Sequence, residues 1–410
     1  MTSRERVLKS VNHKQPDRVP IDLGAMRASG ISASVYDRMK RRLDIATPTK
    51  LCDAMQVLAE VEPEVLDRLH VDVVPLELPN SRWLGRDISD YVRRTLFDGT
   101  TVHFPPGTRI DETQDGSWLL LSGNGEPVAR MPKGGFYFDF IRPTMSGLRI
   151  DPDAFRPQND IPDEDLNCLA ERASFLHQTT DMAILGWGSG ISFMGLSAIL
   201  SDNITQGALD EWLCMLMTEK DAANEMMARA VDASISRLTL VHQAVGDRCF
   251  AWGIASDDAG TQRGELIAPE LFAEMIVPHY KRLCDWVHAN TPWKTFLHSC
   301  GSIYHYIPLW IDAGVDILNP VQTSAANMEP ERLKREFGDR VVFWGGGCDT
   351  QSVLHKASPE ELREHVRDRM RIFKPGGGFV FTQVHNIQAN VPPENVIAIF
   401  DAAYEFGRYL

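Results

Sequence analysis

The chain has 410 residues, of which 43% are hydrophobic and 24% charged, an ordinary balance for a globular protein. Its formal net charge is −14 and it contains no long basic run, which argues against nucleic acid and anionic membranes as partners. The N-terminal stretch "MTSRERVLKSVNHKQPDRVP" is charged, and the most apolar stretch, 182–200, is interrupted by four glycines. No secretion signal or membrane span is therefore expected, and the cytoplasm is the expected compartment. Seven cysteines at scattered spacings fit reduced thiols rather than a disulfide framework.

In chain order, eight short β-rich runs alternate with helical patterns: 18–24, 71–76, 182–188, 248–254, 294–298, 315–320, 340–346 and 378–385. Short apolar runs without strict alternation fit strands buried on both faces, and the intervening helices favour parallel pairing through crossovers. One such helix is announced by Ser358, Pro359 and Glu361, a capping box, with Leu362, Val366 and Met370 as its apolar stripe. A second, around "EPERLKREFG", is expected to end at Gly338 in left-handed conformation. Segment 79–180 breaks this grammar and reads as β-hairpins, with "GNGE" as a tight turn. The expected fold is thus a single α/β (β/α)8 TIM barrel over 1–410, with 79–180 as an insertion or lid between strands 2 and 3.

In that fold the chemistry lies at the C-terminal ends of the strands. The fifth run ends in His298-Ser299-Cys300-Gly301, and in extended chain residues two apart point the same way. The seventh leads into "GGGCDTQ", which places Cys348 at the same rim. One histidine and two thiolates make a three-ligand zinc shell with a fourth place open, the catalytic pattern. Each residue also has an ordinary reading, as core histidine or small buried hydrophobe.

Other strand ends supply further candidates. His385 reads as a fourth ligand, a substrate-binding base or a loop-bridging histidine, with Gln388 beside it. Asp257 and Asp258 read as orienting a metal-bound histidine, binding substrate or capping a turn. Glu77 reads as a general acid, Asn319 and Gln322 as hydrogen-bonding partners of substrate, and Trp187, Trp252 and Trp344 as aromatic walls or core. Arg27 and Ser29 follow the first run. Cys52, Cys168, Cys214, Cys249 and Cys284 read as structural.

The succession "DRVPID", "AEVEPEVLDRLHVDVVPLE", "LHSCGSI", "GGGCDTQ" and "GGFVFTQVHNIQANVPPENV" resembles the uroporphyrinogen decarboxylase superfamily, whose members are (β/α)8 barrels. That superfamily includes metal-independent decarboxylases of polycarboxylates, which carry an arginine-rich loop after the first strand, and cobamide-dependent methyltransferases. Here "GAMRASGIS" offers only Arg27, and H-x-C with a later cysteine is closer to the methyltransferase branch. In well-known members of that branch the later cysteine follows the eighth strand, where this chain has His385. The resemblance implies Zn2+ and transfer of a methyl group from a small O-, N- or S-methyl donor, which Glu77 would contact if cationic. The acceptor would be cobalamin on a corrinoid protein, a thiol or tetrahydrofolate. A homodimer would be in keeping with the family, and decarboxylation of a porphyrinogen-like polycarboxylate is the alternative.

Overall fold

The structure, a computed structural model, describes residues 1–78, 87–141, 150–194 and 209–409. Parts of segment 79–180, namely 79–86 and 142–149, lie outside the described residues. Leu51–Asp53 (β1) and Leu58–Ala59 (β2) form a small antiparallel pair, followed by Val73–Glu77 (β3). Val92–Thr95 (β4) pairs antiparallel with Thr101–Phe104 (β5). Ile110–Glu112 (β6), Trp118–Leu121 (β7), Pro127–Met131 (β8) and Asp139–Phe140 (β9) form a four-stranded antiparallel sheet. The β7–β8 connection is the tight turn expected at "GNGE", with Gly125 at φ +85°.

Ala183–Ile191 (β10), Ala251–Ser256 (β11), Lys294–His298 (β12), Ile317–Asn319 (β13), Val342–Trp344 (β14) and Phe379–Val380 (β15) complete a seven-stranded parallel sheet that starts at β3, in chain order from edge to edge. Seven of the eight β-rich runs therefore become its strands. The first, 18–24, forms isolated contacts instead, and those contacts reach both edges. Ile21 bridges Phe381 beyond β15, and its carbonyl accepts from Asp72 N, just before β3, at 2.8 Å. The result is a TIM-barrel-like α/β fold.

Alternation along each strand separates two apolar cores. Val73, Leu185, Ala251, Phe296, Ile317, Val342, Trp344 and Val380 form an inner cluster, closed below by Val7 and Val11 of the helix Ser3–Val11. The opposite faces join a larger cluster under the helices. Two tryptophans fit only because glycines face them. Gly186 lies opposite Trp252 and Gly253 opposite Trp187 in the β10–β11 register. A Cβ on either glycine would fall 1.9 Å or 2.1 Å from the facing indole.

The helix Pro359–Phe373 starts as expected, with both capping-box hydrogen bonds at Ser358 and Glu361. Gly338 differs from expectation. It caps Pro330–Phe337 at φ −68° and ψ −6°, an ordinary right-handed conformation, because Gly338 N still reaches Lys334 O and the helical turn continues through it. No helix among the described residues is long and apolar enough to cross a membrane.

Closure of the sheet rests on Asp72, which is fully buried. Its carboxylate accepts from Arg6 Nη1 at 2.6 Å, Arg18 Nη1 at 2.7 Å and the backbone N–H of Ile21 at 2.9 Å. Replacing Asp72 with Ala removes the carboxylate that pairs with Arg18 and leaves Arg6 paired with Asp17, and is expected to cost about 3 kcal/mol. Urea unfolding of the variant against wild type measures it, and a loss below about 1 kcal/mol contradicts this role.

Candidate metal centre

The strand β12 carries Phe296 into the inner cluster and, two residues on, His298 to the same side at the mouth. Asn319 ends β13 next to it. Asn319 Nδ2 donates to Trp344 O at 2.8 Å, which turns Oδ1 toward His298 Nδ1 at 2.6 Å. Nδ1 therefore carries the hydrogen, and Nε2 faces Cys300 Sγ at 3.5 Å. His385 is arranged in the same way. Asn386 Nδ2 donates to Gln56 Oε1 at 2.7 Å, and Asn386 Oδ1 lies 2.9 Å from His385 Nδ1. The two imidazole rings are 6.0 Å apart between centroids. One ligand-capable atom from each of His298, Cys300 and His385 lies within 4.8 Å of the other two.

The electrostatics at this cluster are coupled. Burial works against a charge on His298, but Asp258 and Cys300 outweigh it and hold its pKa well above the ordinary imidazole value. Against desolvation at the mouth, His298 and the Cys300 N–H hold the Asp258 carboxyl far below the usual carboxylate range. Burial and the neighbouring His298 lower the pKa of His385.

The structure does not bring Cys348 into this group. Residues 347–348 continue pairing beside the last strand, with Gly347 N on Thr382 O and Val384 N on Cys348 O. The Cys348 side chain thereby turns into the outer core, fully buried, and burial pushes its thiol pKa up. His385 stands where the second thiol was expected.

Asp257 is likewise removed from the mouth. It is buried and accepts from Ser192 Oγ, Phe193 N, Met194 N and Tyr280 Oη at 2.5–2.8 Å. Both its oxygens are committed to holding the chain after β10 against the helix Val277–Asn290. The neighbouring Asp258 is the carboxylate at the cluster, with Oδ1 3.6 Å from His298 Nε2.

Glu77 lies at the mouth opposite Trp187 in the β3–β10 register and pairs with Arg27 Nε at 3.2 Å. Arg27 also pairs with Asp53 at 3.1 Å. Asn319 contacts His298, as described, and Gln322 accepts from Gly301 N at 2.9 Å, so both shape the His298–Cys300 loop from behind. Gln388 is exposed and donates to Asn386 Oδ1 at 2.5 Å. Trp187 packs edge-on to Phe296, which in turn meets the buried Trp344, while Trp252 faces outward onto Trp293.

Sequence reasoning passed over Asn386, Gln56 and Asp22. Asp22 is buried under the mouth, receives Trp344 Nε1 at 2.8 Å and Ala25 N at 3.0 Å, and burial raises its pKa to about 6. A carboxylate inside the apolar run "VPIDLG" was the available signal.

Residues 149–406 match the family model described as uroporphyrinogen decarboxylase (URO-D). The chain belongs to the uroporphyrinogen decarboxylase family. Curated URO-D relatives align over short stretches: the uroporphyrinogen decarboxylase of Psychromonas ingrahamii is 40% identical over 74 residues, 18% of this chain and 20% of that one. The uroporphyrinogen decarboxylase of Methylococcus capsulatus is 32% identical over 96 residues, 23% and 25% of the two chains. The chain thus spans about a quarter or less of these URO-D relatives. A solved methyltransferase from Methanosarcina mazei shares the fold of this URO-D family member across 99% of both chains, with a TM-score of 0.57 and 17% identity.

The two cysteines make a direct test. Cys300 is half-buried at the mouth and Cys348 fully buried. Iodoacetamide on the folded protein, read by peptide mass mapping, is expected to modify Cys300 while leaving Cys348 intact until denaturant is added. Equal labelling of both contradicts the arrangement.

Proposed function

We propose that this URO-D family member is a zinc-dependent methyltransferase, built as one closed eight-unit barrel with the antiparallel sheets within segment 79–180 as its insertion or lid. The observation that carries the reading is the convergence of His298, Cys300 and His385. Two imidazole nitrogens and one sulfur fit zinc, whose catalytic sites keep three protein ligands and one place for a guest. The fit extends outward, since Asn319 and Asn386 each engage Nδ1 of one histidine and leave its Nε2 for a metal. The shared fold with the Methanosarcina mazei methyltransferase is in keeping with it.

Bound there, zinc would supply Lewis acidity, lowering the pKa of a thiol or polarising the heteroatom of a methyl donor. The remaining work falls to the chain. Trp187 and Phe296 wall the barrel side of the mouth and limit water, and orientation between donor and acceptor provides much of the rate. The methyl–heteroatom bond breaks with its electron pair left on the heteroatom, and the new bond forms to the acceptor's nucleophile. Glu77, steadied by Arg27, borders the donor and would attract a cationic one. The acceptor is cob(I)alamin on a corrinoid partner, a thiol or tetrahydrofolate, in the cytoplasm.

Decarboxylation of a polycarboxylate is less well served. Arg27, the single arginine in "GAMRASGIS", already pairs with Asp53 and Glu77, so substrate carboxylates would meet a neutralised guanidinium.

Zinc content and methyl transfer to cob(I)alamin or a small thiol should be lost together on chelation and restored by Zn2+. His385→Ala should weaken zinc binding by tenfold or more, while Cys348→Ala should retain it. Zinc must displace the proton that His298 holds well above its ordinary pKa. Affinity should therefore rise with pH and fall in acid, with proton release on uptake measurable by titration in buffers of different ionisation enthalpy. A metal-free wild type with full methyl-transfer activity refutes the reading.

A further inference from the structure

Asp258 stands beside two members of the donor cluster, His298 and Cys300. The commonest outer role for a carboxylate at a metal-bound histidine is to accept the N–H of the ring's far nitrogen. At His298 that place is taken by Asn319, 2.6 Å from Nδ1. Asp258 approaches the other nitrogen, with Oδ1 3.6 Å from Nε2, the atom that also faces Cys300 Sγ at 3.5 Å. A tetrahedral zinc with nitrogen and oxygen at about 2.0 Å and sulfur at about 2.3 Å sets N and S roughly 3.5 Å apart, and N and O roughly 3.3 Å apart. Both observed spacings lie within a few tenths of an ångström of those edges.

The backbone also favours this placement. The Cys300 N–H donates to Asp258 Oδ1 at 3.1 Å, which ties the loop after β11 to the loop after β12. Gly260 and Gly301 permit the close approach: a Cβ on Gly301 would lie 2.3 Å from Gly260 O. The Asp258 side chain is 68% exposed, so it has room to turn toward the cluster or away from it.

We infer that Asp258 is the resident fourth ligand of the metal proposed above, occupying the guest's place until a methyl donor or thiol displaces it. Charge supports the assignment. Two neutral imidazoles and one thiolate leave a divalent ion with one positive charge, and a carboxylate cancels it. A neutral donor entering in its place restores that charge at the metal, while an entering thiolate keeps the site neutral.

The inference rests on the metal site of the methyltransferase reading, and cobalt(II) separates the two. The visible absorption of Co2+-loaded protein is recorded without substrate for wild type, Asp258→Asn, Asp258→Ala and Asp258→Glu, with Co2+ affinity from chelator competition and imidazole as the exogenous ligand. The Asn and Ala variants are expected to show shifted ligand-field bands, at least tenfold weaker Co2+ binding and tighter imidazole binding, with Glu close to wild type. Wild-type spectra and Co2+ affinity in both Asn and Ala variants overturn the role of Asp258 and leave the metal site standing. Failure of the wild type to bind Co2+ or Zn2+ overturns the site itself.

Discussion

The molecule is held in its functional shape by one buried anion. Asp72 takes two guanidinium groups and one backbone N–H, and those donors belong to the first helix and to the segment that spans the gap between the first and last strands. Hydrogen bonds of a parallel sheet alone would leave two edges. The paired charge converts segment 18–24, too irregular to count as a strand, into a bridge to both. Only with that bridge do the ends of β12 and the chain after β15 face each other across a shared mouth, and only then can His385 meet His298 and Cys300.

At the mouth, neutral amides do the orienting. Asn319 and Asn386 each fix which nitrogen of an imidazole carries hydrogen, and each is fixed in turn, by the Trp344 carbonyl and by Gln56. Amides can do this without adding charge, so the balance at the cluster is left to Cys300 and Asp258. The turn holding Gln56 also accepts Phe138 N on Met55 O at 2.7 Å, so the antiparallel sheets are joined to the second histidine by three hydrogen bonds in series.

Much of this was legible in the sequence. The apolar runs located the strands, and the extended spacing of His298 and Cys300 placed both on one side. The eighth run gave His385 a place at the rim, though as one option among several. What failed was direction after irregular backbone. Gly345 and Gly346 adopt φ +129° and +71°, so the side on which Cys348 emerges cannot be extrapolated from β14. Asp257 and Asp258 point oppositely as neighbours, and the irregular β11–β12 register between Gly253 and Ala255 decides which one reaches the mouth. The amides were missed because nothing local distinguishes a structural Asn or Gln from one that orients a ring.

The exchange of indoles and glycines between β10 and β11 has a further consequence. Each ring is a key whose only slot is the bare Cα opposite it, one on either face of the sheet. Sliding one strand past the other by a single residue would set Trp187 against Trp252, so the pair acts as a vernier that fixes how far β10 rises relative to its neighbour. The height of the rim above the barrel floor is thus gauged by two positions that carry a hydrogen atom in place of a side chain.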